Sequence, residues 1–166
     1  PPARHPERGD PVTLGPGQPG RPLPAPAAGV VRAEVTEAPI SVTELADAVQ
    51  DAAAGAVVTF EGVVRNHDAE RAVTGIGYSC HPTAGQVVEQ IAQDVAQQGR
   101  VRALGVVHRV GDLSVGEAAL AVAVSSDHRA EAFAVCSQIV EEVKERLPVW
   151  KRQTFTDGSS QWSNIA

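Results

Sequence analysis

The residues best suited to chemistry are two primary amines seven positions apart, Lys144 and Lys151, in the stretch VKERLPVWKR at 143–152. They are the only lysines in the sequence, whose other twelve Lys/Arg side chains are all arginine. A composition rich in Ala, Val, Gly and Arg supplies arginine wherever a bare positive charge suffices. An amine differs: it is compact, can lose its proton when desolvated, and can attack or polarise an acyl carbon. Two retained amines therefore point to acyl or anion chemistry. The alternative is two surface lysines without a role.

Other groups fit an anionic substrate. Ser126-Asp127-His128-Arg129 stands where a helix should begin, and free N–H groups with partial positive charge favour anions there. Basic side chains are disfavoured at that end of the helix dipole, so His128 and Arg129 suggest a phosphate or carboxylate ligand. Arg65, before Asn66 and His67, ends a long apolar strand pattern and can grip an anion. Cys80 and His81 precede Pro82 without a base or oxyanion motif, so Cys80 is expected to be a small buried thiol. No P-loop, dinucleotide fingerprint, Ser-His-Asp order or zinc spacing occurs.

These groups must be positioned by the elements around them. Residues from about 128 to 147 have helical periodicity. At about 100° per residue, Ala132, Phe133, Cys136, Ile139, Val140, Val143 and Leu147 share one arc. Lys144 falls at its border, where the amine is either partly desolvated, with a lowered pKa, or held in water on a stem lying along the core. Pro148 cannot continue the helix. The strand that follows turns back and can return Lys151 towards Lys144, with Trp150 on the other face as a packing anchor. Val149–Phe155 and Gln161–Ile165 read as a hairpin around Asp157-Gly158.

Upstream, Val30–Thr36 alternates as a strand. Ser41 and Glu44 form a capping box for a helix that Gly55 would end. Ala56–Arg65 and Arg71–His81 are strands around a polar turn at 66–70. A helix follows Pro82 and stops near Gly99. Val101–Val110 and Glu117–Ser125 are strands joined by a turn, GDLSVG, at 111–116. Ser126 or Asp127 is expected to cap the last helix. The order β-α-β-β-α-β-β-α-β-β gives an α+β domain with three main helices and substantially antiparallel pairing.

Nine of the twelve prolines lie within residues 1–29, a leader expected to be disordered and separate from a folded domain over 30–166. No methionine occurs, position 1 included, so the numbering is expected to begin inside the natural chain. A net charge of −6 disfavours general affinity for nucleic acid or anionic membrane. No apolar run suits a bilayer span or a signal peptide. Two isolated cysteines fit a reduced, cytoplasmic protein.

Four segments in order, GAVVTFEGVVRNHD (55–68), VVHRVGDLSVGE (106–117), SSDHRAEAF (125–133) and VKERLPVWKRQ (143–153), give the chain a family likeness. From about Val30 to Trp162 it resembles the large, catalytic subunit of molybdopterin synthase. The resemblance implies an α/β-hammerhead-type domain with an additional antiparallel sheet. It implies a sulfurtransferase that forms the dithiolene of molybdopterin, in molybdenum cofactor biosynthesis, from cyclic pyranopterin monophosphate. The sulfur donor is the C-terminal Gly-Gly thiocarboxylate of a small ubiquitin-like carrier subunit. A central homodimer with a carrier at each end makes a heterotetramer, and no metal or redox cofactor is called for.

On this resemblance Lys144 and Lys151 fall on the catalytic lysines, Arg65, His128 and Arg129 on the substrate-anion pocket, and Phe60 beside the carrier tail. The chain departs from the family at Tyr78-Ser79-Cys80-His81-Pro82, where a Tyr-Glu-x-Tyr-Pro segment is common. It also has Gln153 where glutamate is common, and a short stretch after Trp162 where relatives supply a basic residue to the neighbouring subunit. Two other readings compete: a non-catalytic docking module for a ubiquitin-like carrier, and an enzyme forming a Schiff base through Lys144.

Overall fold

The computed structural model describes residues 29–165. The 1–28 part of the expected leader lies outside them. Nine strands and three helices follow among the described residues: β1 (Val30–Thr36), α1 (Val42–Ala48), β2 (Ala56–Val63), β3 (His67–Asp68), β4 (Arg71–Cys80), α2 (Ala84–Gln98), β5 (Ala103–Arg109), β6 (Gly111–Ser114), β7 (Ala118–Ser126), α3 (Arg129–Arg146), β8 (Val149–Phe155) and β9 (Ser160–Asn164). The α+β class expected from the sequence is the class observed.

One sheet has the order β1-β5-β7-β2. Its β1–β5 pair is parallel, and β5–β7 and β2–β7 are antiparallel. Strands β5 and β7 are buried almost throughout because helices cover both faces. Leu104, Val106, Leu120, Val122 and Val124 meet α2 and α3 on one face. Ala103, Val107, Ala121 and Ala123 meet Leu45 and Val49 of the α1 region on the other. Small residues let α1 approach: a Cβ on Gly105 would lie 2.5 Å from Leu45 Cδ1.

The second sheet has the order β3-β4-β8-β9, with β6 also on β4. The stretch GDLSVG, expected to be only a turn, opens as strand β6 and pairs Gly111–Ser114 with Tyr78–Gly75. Without it, those backbone groups of β4 would have no ladder partner on that side. The 66–70 turn likewise contains the two-residue strand β3, and the bend falls on Ala69 and Glu70, both at positive φ. An ion pair between Arg109 Nη1 and Glu117 Oε2, at 2.6 Å, ties the end of β5 to the start of β7.

Two helix boundaries differ from expectation. Ser41 caps α1 through Glu44 N–H as its sequence implies, but the helix ends at Ala48 rather than near Gly55. Asp51 takes over locally, its carboxylate accepting from Ala53 N–H and its carbonyl from Ala54 N–H. At α3 neither Ser126 nor Asp127 caps. Ser126 is still paired in β7, and both Asp127 oxygens are held by Arg102, so His128 takes the N-cap position in extended conformation without a side-chain bond.

The buried stripe of α3 is Ala132, Val135, Cys136, Ile139, Val140 and Val143. Phe133, expected within it, is 62% exposed, because its 100° step from Ala132 carries it off the sheet. Trp150, expected as a packing anchor, is half-exposed on the outer face of β8. Cys80 is exposed rather than buried, at the end of β4. His81 Nδ1 faces Thr83 at the start of α2, so no Cys/His pair forms. Cys136 is buried, which pushes its thiol up to about 11.

Candidate active site

The two sheets and the C-terminal end of α3 meet around a cavity of about 180 Å³. Phe60, Gly62 and Val63 come to it from β2, Ala119 and Leu120 from β7, and Val143 and Lys144 from α3. Tyr78 of β4, His108 of β5, Lys151 of β8 and Ile165 complete the lining. Strand alternation explains the selection from β8. Val149, Lys151, Gln153 and Phe155 share the inward face, while Trp150 and Arg152 point away. The Pro148 break turns the chain so that Lys151 comes back to the helix end that carries Lys144. The expected meeting of the two lysines is therefore observed, with Phe60 beside them. Lys144 itself is an exposed residue at the cavity mouth rather than one sunk in the core edge.

The other three expected site residues do not line the cavity. Arg65 lies two residues beyond Val63 in the chain, and its guanidinium donates to Asp68 Oδ1 at 3.1 Å. His128 and Arg129 stand at the opposite end of α3, fifteen residues from Lys144 in the case of Arg129. At 1.5 Å per residue that is about 22 Å along the axis. One chain does not bring its His128 and Arg129 to its own lysines.

Two polar lining residues were not singled out from the sequence as site residues, His108 and Tyr78. Both are ordinary core-compatible types in strands, and only the packing of one sheet against the other makes them neighbours. Their rings meet edge to face with centroids 5.3 Å apart. His108 is 3% exposed, and its Nδ1 lies 2.8 Å from the Arg109 carbonyl oxygen. A carbonyl only accepts, so Nδ1 carries the proton and Nε2 keeps its lone pair. Burial pulls the imidazole pKa down to about 4, against the opposing effect of that bond, so the ring is neutral near pH 7. Burial also raises the pKa of Tyr78, keeping the phenol protonated.

The cavity thus combines two amines, an apolar wall and two neutral polar rings. It suits a small anionic or acyl group that must be oriented before it reacts. A wider open hollow of about 490 Å³ lies between β1 and α2. Its lining cation is Arg32, already bonded to Glu34, and it is otherwise walled by glutamine, glutamate and small apolar residues. That hollow does not offer an anion the same welcome.

The chain is similar to known proteins of one family. The family model described as MoaE protein matches residues 35–146. A molybdopterin synthase catalytic subunit from Nostoc sp. is 38% identical over 133 residues, covering 79% of this chain and 81% of that protein. One from Bacillus subtilis is 33% identical over 132 residues, covering 79% and 83%. The crystal structure of molybdopterin synthase from Staphylococcus aureus superposes with a TM-score of 0.74 at 28% identity, over 80% of this chain and 96% of that one. A complex of subunits 1 and 2 of molybdopterin-converting factor from Helicobacter pylori has the same fold, with a TM-score of 0.59 at 20% identity, covering 82% and 90%.

Proposed function

As this chain belongs to the MoaE family of molybdopterin synthase catalytic subunits, we propose that its lysine-lined cavity receives the thiocarboxylate tail of a small ubiquitin-like carrier. The observation that carries this is the convergence of the only two lysines, from α3 and β8, on one cavity beside Phe60. The cavity is smaller than the roughly 300–1,000 Å³ typical of a whole small-molecule ligand. It has room for a backbone-only tail, and the pterin then lies at the mouth.

In this reading the thiocarboxylate sulfur attacks the cyclic pyranopterin monophosphate, the new C–S bond forms, and a phosphate oxygen leaves. Water then hydrolyses the acyl link, leaving sulfur on the pterin and a carboxylate on the carrier. Lys144 steers the tail's negative charge and polarises its carbonyl. Lys151 binds or protonates the pterin side. A second carrier delivers the second sulfur to the adjacent carbon, whose oxygen leaves as water, and this completes the dithiolene.

The substrate phosphate needs more cationic ligands than one chain supplies at this cavity. Arg65, two residues beyond the lining Val63 and now bonded to Asp68, supplies one such ligand when it releases that carboxylate. His128 and Arg129 reach a cavity of this kind only from another copy, which favours a homodimer whose sites are shared, each copy also holding one carrier.

The test is conversion of the cyclic precursor by this chain with a thiocarboxylated carrier, comparing wild type with Lys144→Ala and Lys151→Ala. Wild-type dithiolene formation with a large loss in Lys144→Ala supports the reading. Full product formation by Lys144→Ala sinks the role given to that amine. Tight carrier binding without any turnover would instead favour a docking module.

A further inference from the structure

Three buried side-chain oxygens have no hydrogen-bond partner among the described residues: Ser126 Oγ, Glu131 Oε2 and Gln153 Oε1. Ser126 ends β7 and Glu131 lies in the first turn of α3, at the end remote from the lysines. Gln153 is different. It is 6% exposed, on the same face of β8 as Lys151 and two residues further along. Resting on the reading that Lys151 acts on the pterin side, we propose that Gln153 is the positioning residue for that amine. Its carboxamide oxygen accepts one N–H of the Lys151 ammonium, and the other two are left for the substrate.

Three observations lead there. The first is need: a buried acceptor without a donor is costly, so the Gln153 oxygen calls for one. The second is the set of side chains around it. Across the β4 ladder its partner is Ile76, whose own partner on β6 is Leu113, and Phe155 follows it on the inward face of β8. Gln161, its partner on β9, is exposed and has solvent for its amide. The cationic donor next to it on this face is Lys151, half-buried and without a hydrogen bond or ion pair among the described residues. The third is reach. Side chains two residues apart on one strand face stand about 6.6 Å apart, a gap that the four-carbon stem of a lysine spans.

The cavity lining shows why such a bond matters. It contains no carboxylate, and its titratable groups beside Lys151 are Lys144, His108 and Tyr78, a like charge and two neutral rings. No anion in the lining fixes the direction of the Lys151 ammonium, and Lys144 repels it. A charge-assisted bond to Gln153 holds a flexible stem in one direction before the substrate arrives. Gln153 thus acts through Lys151 and touches no reacting atom itself.

Gln153→Met keeps the volume and removes the acceptor, and an apolar side chain suits the buried position, so the fold is expected to hold. Gln153→Glu keeps an acceptor oxygen. Isotope-labelled lysine gives two side-chain ammonium signals in this chain, told apart with Lys144→Arg. In Gln153→Met the Lys151 signal should shift and its ammonium protons exchange about threefold faster or more, while the Lys144 signal stays in place. The KM for the cyclic precursor should rise about tenfold, and the KM for the thiocarboxylated carrier should not change. Gln153→Glu should keep both the slow exchange and the low precursor KM. A Lys151 signal indifferent to Gln153→Met, an equal change at Lys144, or an unchanged precursor KM in the folded variant overturns the proposal. If wild type converts no precursor with any carrier, the underlying functional reading fails, while the ammonium signals still decide whether Gln153 holds Lys151.

Discussion

Lys151 lies directly across the β4–β8 ladder from Tyr78. Cross-strand partners leave the sheet on the same face, so the amine and the phenol enter one cavity together, with His108 against the phenol's ring. That register fixes the distance between the cavity's cationic and neutral sides. A two-residue slip along β8 would put Val149 or Gln153 in the amine's place.

Removing the amines should separate chemistry from folding. Lys144 is exposed and Lys151 half-buried, so Lys144→Ala and Lys151→Ala are expected to keep the thermal midpoint close to wild type. Turnover of the cyclic precursor should fall by about 10²-fold or more in Lys144→Ala. Calorimetry beside a single-turnover assay checks both halves.

The proposed sharing of sites between two copies makes a complementation prediction. Lys144→Ala and Arg129→Ala chains should each be inactive alone. After subunit exchange, mixed dimers should regain activity, because one of their two sites combines an intact Lys144 with an intact partner Arg129. No recovery in a mixture shown by native mass spectrometry to contain heterodimers would rule the arrangement out.

His108 predicts an acid-side loss of stability. Its folded pKa, about 4, is below its ordinary value of 6.5. The unfolded state therefore takes up the proton first as pH falls. Stability is full above pH 6.5, declines between 6.5 and about 4, and loses nothing further from this group below that. The full extent is of order 3 kcal/mol. Denaturant titrations across this window should show a shallower slope in His108→Asn, and an identical slope would contradict the assignment.

Gly55 predicts a backbone clash next to the segment that carries His128. A Cβ there would lie 2.5 Å from the Asp127 carbonyl oxygen, and Gly55 N–H donates to the Ser126 carbonyl at 3.1 Å. Because the obstacle is main chain, it cannot rotate away. Gly55→Ala should cost about 1–3 kcal/mol, read as a lower midpoint in urea. An unchanged midpoint would mean the β2 start is free to shift.

The order of the main strands and helices was legible in the sequence because their signals are local. Ser41 announces a helix start, Pro148 a stop, and Asp157-Gly158 a hairpin. The same local reading put Lys144 at the edge of the α3 stripe and recognised Lys151 as able to return. It misjudged Phe133 and Trp150, since an apolar ring is buried only where another element covers it. It also missed β6, which is a strand because β4 needs a partner from far along the chain.

By itself, then, the sequence determined the α+β class, the family likeness and the two amines, all properties of residue type and short-range spacing. Only the tertiary structure decided what shares the cavity. It brought His108 and Tyr78 to the lysines through long-range strand pairing. It also set His128 and Arg129 about 22 Å down a rigid helix, a separation that chain order alone does not reveal. Local propensity fixes where an element starts and stops, whereas packing between elements decides which of its faces meets a site.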